Sequence, residues 1–274
     1  MRSRARVEGV VQGVGFRPFV HRLAGELSLD GFVLNDERGV LVEVQGDPER
    51  VERFLVRLRD EAPPLAVVER VLAEVVEPRA GAGFFIVESE RGGTPEALVS
   101  ADVATCEDCL AELFDPADRR YRYPFLNCTN CGPRFTIVRG VPYDRPRTTM
   151  AGFTMCADCR AEYEDPRDRR FHAQPTACPA CGPQLRLERS DRALQLTARR
   201  GRTSLDVAVA ALLAGAVVAV KGLGGYHLAC RASDGAAVAA LRARKHREDK
   251  PFALMVPSVE AAAELVVLGE QEER

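Results

Sequence analysis

The chain has 274 residues, of which 46% are hydrophobic and 28% charged, with a formal net charge of −2. This is an ordinary globular composition with a length suited to about two domains, and its near-neutral charge argues against a dedicated nucleic-acid binder. The longest apolar run, residues 207–220, is fourteen residues and too short to span a bilayer, so no membrane partner is expected.

The N-terminus, Met1-Arg2-Ser3-Arg4-Ala5-Arg6, is basic but leads straight into an alternating strand, residues 5–11, with no signal-peptide apolar stretch. Residues 18–24 have helical spacing, with Pro18 suited to a first turn. Short strands follow at 29–34 and 40–45, joined by the turn Asn35-Asp36-Glu37-Arg38-Gly39. Asp47-Pro48 opens an amphipathic helix carrying Val51, Phe54, Leu55 and Leu58, then comes a strand at 67–76 and an edge at 84–87. The order β-α-β-β-α-β predicts a ferredoxin-like split βαβ sandwich over residues 1–91.

Between the first strand and helix lies Gln12-Gly13-Val14-Gly15-Phe16-Arg17. Gly13 and Gly15 let backbone amides point inward just before a helix N-terminus, which makes an anion nest. Arg17 supplies a planar fork for phosphate oxygens, and as a loop residue it is expected to contribute little to the core. A Walker loop needs Gly-Lys-Ser/Thr, and a Rossmann fingerprint needs Gly where Pro18 stands, so both are excluded.

Arg91-Gly92-Gly93-Thr94-Pro95 reads as a linker to a duplicated segment over residues 100–190. Cys106 and Cys109, a gap of eighteen residues, then Cys128 and Cys131 are repeated fifty residues on as Cys156, Cys159, Cys178 and Cys181. The interiors repeat as well, Asp115-Pro116-Ala117-Asp118-Arg119-Arg120 against Asp165-Pro166-Arg167-Asp168-Arg169-Arg170. This spacing predicts two closed, structural Cys₄ Zn²⁺ sites, because two CxxC turns complete a tetrahedron. A disulfide framework is the alternative. Sequential pairing within each repeat is favoured, interleaved pairing stays open, and Cys→Ser at any ligand should destabilise its own module. The Asp-Pro steps should stop any helix begun at the first pair, and Gly132 and Gly182 suit tight turns aiming amides at sulfurs. Residues 135–150 are too apolar for a free linker and should pack the modules together. Cys230 reads as a small core residue, and His172 as a surface or substrate-channel residue. Thiols in metal-ligand spacing without an export signal point to the cytoplasm.

From Ser204 the texture is α/β: a helix at 205–213 closed by Gly215, a buried strand at 216–220, a helix near 236–245 and a further strand after Pro251. Lys221, Lys245, Arg247 and Lys250 form basic clusters at strand and helix ends, candidates for nucleotide phosphates along one edge of a parallel sheet. The domain, residues 197–274, ends soon after it has begun, so the chain reads as a fragment of something longer.

Residues 11–17, Val-Gln-Gly-Val-Gly-Phe-Arg, with Asn35 downstream resemble the acylphosphatase family. The resemblance implies hydrolysis of a carboxyl–phosphate anhydride, with residues 12–17 and Arg17 holding phosphate and Asn35 orienting water. Lys245, Arg247, Lys250 and Pro251 resemble the Lys-x-Arg…Lys-Pro pattern of the YrdC/Sua-like family, which makes acyl- or carbamoyl-adenylates from ATP with Mg²⁺. The whole combination resembles the HypF family of nickel–iron hydrogenase maturation carbamoyltransferases. That implies carbamoyl phosphate as substrate and transfer of the carbamoyl group, by a later domain, to the C-terminal cysteine of HypE. The competing reading is a zinc-ribbon binding or regulatory module with an inactive acylphosphatase-like domain.

Overall fold

The computed structural model describes residues 1–89, 94, 96–189, 192–195 and 203–273. The linker read at residues 91–95 lies outside them, apart from Thr94. Two compact units divide the chain, residues 1–184 and 185–274.

The first unit begins with β1 (Arg2–Val10), α1 (Phe16–Glu26), β2 (Asp30–Asp36), β3 (Gly39–Gln45), α2 (Pro48–Asp60), β4 (Val67–Val76) and β5 (Phe84–Ile86). The sheet order is β4-β1-β3-β2-β5, antiparallel except that β5 runs parallel to β2. This is the expected ferredoxin-like sandwich with one added edge strand. Alternation in β1 sends Ala5 and Val7 to the core with Val42, Val44, Leu23, Phe54 and Leu58. Its other face carries Arg2 and Arg4, which clasp Glu43 on β3. Asp47 caps α2, its carboxylate accepting from the amides of Glu49 and Arg50, with Pro48 in the first turn.

The expected turn is tighter than the sequence suggests. Asn35 and Asp36 belong to β2, and the reversal falls on Glu37 and Arg38. Asp36 accepts from the amides of Arg38 (2.8 Å) and Gly39 (3.0 Å), so it makes the turn chemistry that Asn35 was expected to share. Asn35 is thereby buried at the end of a strand.

The two cysteine repeats fold alike. Helices α3 (Glu107–Phe114) and α4 (Ala157–Glu164) start directly after Cys106 and Cys156 and stop at Asp115 and Asp165, each before a proline. In both copies the chain then turns through a left-handed residue, Arg122 (φ 56°) and His172 (φ 53°). Their amides return to the carbonyls of Leu113 (2.8 Å) and Tyr163 (2.9 Å). Between the repeats run 3₁₀ turns at Phe135–Ile137, Arg145–Arg147 and Thr149–Gly152. Phe135 points to solvent, while Ile137, Met150 and Phe153 pack on the first cluster, so only part of the bridging segment does the expected packing.

The second unit holds β6 (Glu188–Arg189), β7 (Arg192–Gln195), α5 (Ser204–Leu213), β8 (Val218–Lys221), β9 (Tyr226–Ala229), α6 (Gly235–Lys245), α7 (Val259–Ala263) and α8 (Glu270–Glu273). Thr203 and Asp206 form a capping box at the start of α5, and Gly215 (φ 81°) follows its end. The strand expected to be buried is instead half of a two-stranded antiparallel ribbon, β8 with β9, and Ala219 and Val220 are exposed. A ribbon with one neighbouring strand has no second flank to bury it. The parallel sheet expected here is therefore absent among the described residues. Residues 251–256 form no strand either.

Candidate functional site

Gln12 ties the phosphate-type loop to both neighbours. Its amide nitrogen donates to the carbonyls of Asp36 and Gly39 at 2.7 Å each, and its oxygen accepts from the amide of Tyr143 at 2.7 Å. The Gln12 side chain, expected among the phosphate contacts, is thus committed to backbone. Gln12→Leu removes three buried hydrogen bonds to backbone groups, and an expected loss of about 2–5 kcal/mol follows. Chemical denaturation checks this, and an unchanged midpoint contradicts it.

Beyond Gln12 the chain passes through Gly13 and Gly15, both at φ 76°, a left-handed conformation that suits glycine. Gly15 is the N-cap of α1, and no side chain caps the helix. The amides of Gly15, Phe16 and Arg17 have no acceptor among the described residues, so they remain available to an anion. Val14 and Phe16 turn their side chains into the core, leaving only backbone for the site.

The loop opens only partly onto solvent. It walls a partly open cavity of about 30 Å³ with Arg17, Asn35, Thr129, Arg134, Tyr143, His172 and Gln174. Thus the cysteine modules form the far wall. Arg17, expected as a loop residue that contributes little to the core, is 9% exposed and pairs with Asp144 (2.8 Å). Asn35, 1% exposed, donates to the Tyr143 carbonyl at 3.5 Å, while its Oδ1 has no partner.

Arg134 fastens the two halves together. Its Nε donates to the Gly13 carbonyl, and its other nitrogens donate to the carbonyls of Cys131 (2.9 Å), Pro133 (3.0 Å), Cys128 (3.2 Å) and Thr129 (2.8 Å). Sequence reasoning missed Arg134, Tyr143, Asp144 and Gln174. One signal was available: Cys-Gly-Pro ends both repeats but is followed by Arg134 in the first and Gln184 in the second.

His172, expected at the surface or in a substrate channel, lines this cavity. Its ring lies 4.8 Å from Tyr163 and 4.6 Å from Phe171. Burial and then the charge of Arg17 push its pKa down to about 4, against a smaller opposing pull from Asp144, so the imidazole is neutral at pH 7.

The eight cysteines form two sequential sets, Cys106, Cys109, Cys128, Cys131 and Cys156, Cys159, Cys178, Cys181, with each set's sulfurs within 4.8 Å of one another. Interleaved pairing is thereby overturned, and all eight are free thiols. Neighbouring sulfurs lie at 3.7, 3.8 and 3.4 Å in the first set and 3.7, 3.7 and 3.6 Å in the second. A tetrahedral ion with bonds of about 2.3 Å to sulfur asks for about 3.8 Å, so the donors fit a metal. Neighbouring Cys128 and Cys131, then burial, push the Cys109 thiol up. Burial pushes Cys159 up to about 12, even against Arg119. A divalent cation removes that penalty. Asn130 rather than a glycine aims its amide at a sulfur, that of Cys128 at 3.3 Å. Gly182 is required for space, since a Cβ there would lie 2.3 Å from the Tyr123 hydroxyl. Cys230 belongs to neither set and is partly buried.

The two sets brace each other. Arg169 donates to Cys109 Sγ from both terminal nitrogens at 3.2 Å, and Arg119 donates to Cys159 Sγ at 3.2 Å. Arg170 pairs with Glu112, and Arg120 with Glu162 at 2.5 Å. Arg170 Nε reaches the Asn127 carbonyl and Arg120 Nε the Ala177 carbonyl, both at 3.0 Å. Burial works to raise Glu162, but Arg120 and Arg119 overcome it and hold it at about 2. That contribution is full above the ordinary carboxylate range and is lost as pH falls toward 2.

In the second unit Lys221 ends β8 and Lys245 ends α6. Arg247 donates to the carbonyls of Lys250 (3.2 Å) and Pro251 (2.8 Å), and its guanidinium lies 5.4 Å from the Phe252 ring. Arg242, which sequence reasoning passed over, shares that ring at 4.7 Å. Arg247 and Lys250 therefore meet in one loop, and Arg247 serves its structure. No helix of the described residues is long and apolar enough to cross a membrane.

Fold and site define a class: an acylphosphatase-type loop on a ferredoxin-like sandwich, walled by paired four-cysteine modules. Family models agree, matching "Acylphosphatase" at residues 3–86, "HypF finger" at 105–138 and 155–188, and "Telomere recombination", the Sua5/YciO/YrdC family, at 210–274. The chain is 53% identical to carbamoyltransferase HypF2 of Cupriavidus necator, over 99% of this chain and 34% of that relative. It is 42% identical to an acylphosphatase of Thermotoga maritima, over 30% of this chain and 92% of that protein. A solved structure, full-length HypF in the phosphate- and nucleotide-bound form, matches with TM-score 0.89 and 44% identity over 100% of this chain and 35% of that one.

The chain belongs to the HypF carbamoyltransferase family. It spans about a third of the length of the curated HypF relatives it matches, 34% and 33% of the first two.

Proposed function

We propose that the first unit hydrolyses carbamoyl phosphate to carbamate and phosphate. The observation carrying this is one cleft where Arg17, the uncapped N-terminus of α1 and an unpartnered Asn35 oxygen meet. Arg17 and the amides of residues 13–17 bind the phosphoryl oxygens, and Asn35 Oδ1 accepts from a water aimed at phosphorus. The water oxygen bonds to phosphorus as the bond to the carbamoyl oxygen breaks, and that electron pair leaves on carbamate. The water protons stay with phosphate. An acyl phosphate is already activated, so positioning and charge stabilisation supply the rate without a strong base. Asp144 holds Arg17 in place from the module side.

Each cysteine set holds one Zn²⁺, which supplies folding energy to modules too small for a core of their own. Lys221, Lys245, Arg247 and Lys250 belong to an ATP–Mg²⁺ site that adenylates carbamate. The carbamoyl group then passes to the C-terminal cysteine of HypE, for nickel–iron hydrogenase maturation, in the cytoplasm. The 274-residue chain should bind ATP weakly and show no carbamate-dependent ATP–pyrophosphate exchange.

Phosphate release from carbamoyl phosphate tests the reading. Asn35→Ala should lower kcat on the order of 10-fold to 100-fold with little change in KM, because its role is to orient water rather than to bind. A change confined to KM would remove Asn35 from that role.

A further inference from the structure

The cavity has two chemically different walls. The acylphosphatase side presents hydrogen-bond donors, Arg17 and the free amides of α1, which suit a phosphoryl group, and one free acceptor, Asn35 Oδ1, which the proposed hydrolysis commits to the attacking water. A carbamoyl group differs from a plain acyl group at its other end, where it carries an amine that needs an acceptor. The far wall is where such an acceptor must stand.

Most polar groups of that wall are already engaged. Arg134 has no acceptor and is held by five carbonyls. Gln174 accepts from the Arg145 amide at 2.7 Å and donates to the Tyr163 hydroxyl at 2.9 Å and the His172 carbonyl at 2.8 Å. Thr129 donates to the Arg169 carbonyl at 3.0 Å, which fixes its hydroxyl proton but leaves its oxygen able to accept, and the Tyr143 carbonyl accepts from Asn35. The ring nitrogens of His172 have no hydrogen-bond partner among the described residues, although the ring is fixed between Tyr163 and Phe171.

The repeat supplies an independent observation. The modules share their cysteines, Asp-Pro steps, Arg pairs and left-handed turn, yet Arg122-Tyr123-Pro124-Phe125 of the first is His172-Ala173-Gln174-Pro175 in the second. Those four residues of the second copy are the ones that line the cavity. The copies therefore differ at every one of the four positions by which the second module meets the phosphate loop.

We infer that His172 selects a carbamoyl phosphate over a plain acyl phosphate by accepting a hydrogen bond from the carbamoyl amine, an inference that rests on the acyl-phosphate reading of this cleft. A neutral imidazole offers one acceptor and one donor, and burial together with Arg17 keeps this one neutral. The acceptor takes the amine, and the donor faces the carbamoyl oxygen. A methyl group in the amine's place leaves the acceptor unmatched.

The test compares kcat/KM for carbamoyl phosphate and acetyl phosphate in the parent chain, His172→Ala and His172→Gln. His172→Ala should lower carbamoyl phosphate turnover about tenfold or more while acetyl phosphate stays within about twofold. His172→Gln, which keeps an acceptor and a donor, should recover much of the preference. Equal losses for both substrates, or none, would overturn the inference. In the parent chain, the His172 ring ¹⁵N resonances should shift with a carbamoylphosphonate and stay put with acetylphosphonate. The same response to both probes would overturn it even if the alanine variant failed to fold. A parent chain that hydrolyses neither acyl phosphate would instead fail the underlying reading.

Discussion

Arg17→Ala is expected to lower kcat/KM for carbamoyl phosphate on the order of 10²-fold or more, the loss typical of one charge-assisted donor to a developing transition-state charge. The side chain is nearly buried and its partner Asp144 is 23% exposed, so its removal also strands a carboxylate. An unpaired, partly buried charge is destabilising. A fall in Tm should therefore accompany the loss of rate, contrary to what an exposed loop arginine implies. The double variant Arg17→Ala, Asp144→Ala separates the two effects: Tm should return toward the parent value while the rate stays low. Recovery of activity in the double variant, or full activity in the single one, would move the phosphate site elsewhere.

The second large effect concerns metal. Replacing Cys106 and Cys109 together with serine should leave well under one Zn²⁺ per chain, measured by elemental analysis, rather than the one an independent second module would keep. The reason is the reciprocal brace. Arg119 and Arg120 of the first module reach Cys159 and Glu162 of the second, while Arg169 and Arg170 return to Cys109 and Glu112. A four-thiolate zinc site carries net negative charge, and the crossed guanidinium groups offset it with hydrogen bonds to sulfur. If the first module unfolds, the second loses those donors and leaves Glu162 without Arg119 and Arg120. A variant that retains one full zinc and an intact second transition would show that the modules stand alone. Cys230→Ser should leave zinc content unchanged, since Cys230 belongs to neither set.

Much of this was legible because it is local. Alternation in β1, the Asp47-Pro48 cap and the helical spacing of Val51, Phe54 and Leu58 act within a few residues, and they specified the sandwich. The Cys-x-x-Cys pairs and their equal gaps likewise placed all eight sulfurs. What spacing could not show is long-range. The Asn35–Tyr143 and Arg134–Gly13 contacts join residues more than a hundred positions apart, so no periodicity marks them. Arg17 read as marginal to the core because nothing nearby in sequence packs on it; its neighbours Tyr143, Asp144 and His172 are far away in the chain. Residues 216–220 were apolar enough for a buried strand, yet an apolar run records what a strand can bury, not how many neighbours it gains. The crossed arginines were visible as a repeated Asp-Arg-Arg, but the repeat alone did not reveal that each copy serves the other.

The most direct test of the central claim is isotopic. Carbamoyl phosphate is incubated in H₂¹⁸O with the zinc-loaded chain, and released phosphate is examined by ³¹P NMR. Water aimed by Asn35 at a phosphoryl group held by Arg17 and the loop amides should place one ¹⁸O in each phosphate released, at a rate well above the uncatalysed background. Unlabelled phosphate would put the cleavage at the carbamoyl C–O bond, and no release above background would remove acyl-phosphate chemistry from this cleft; either result contradicts the account.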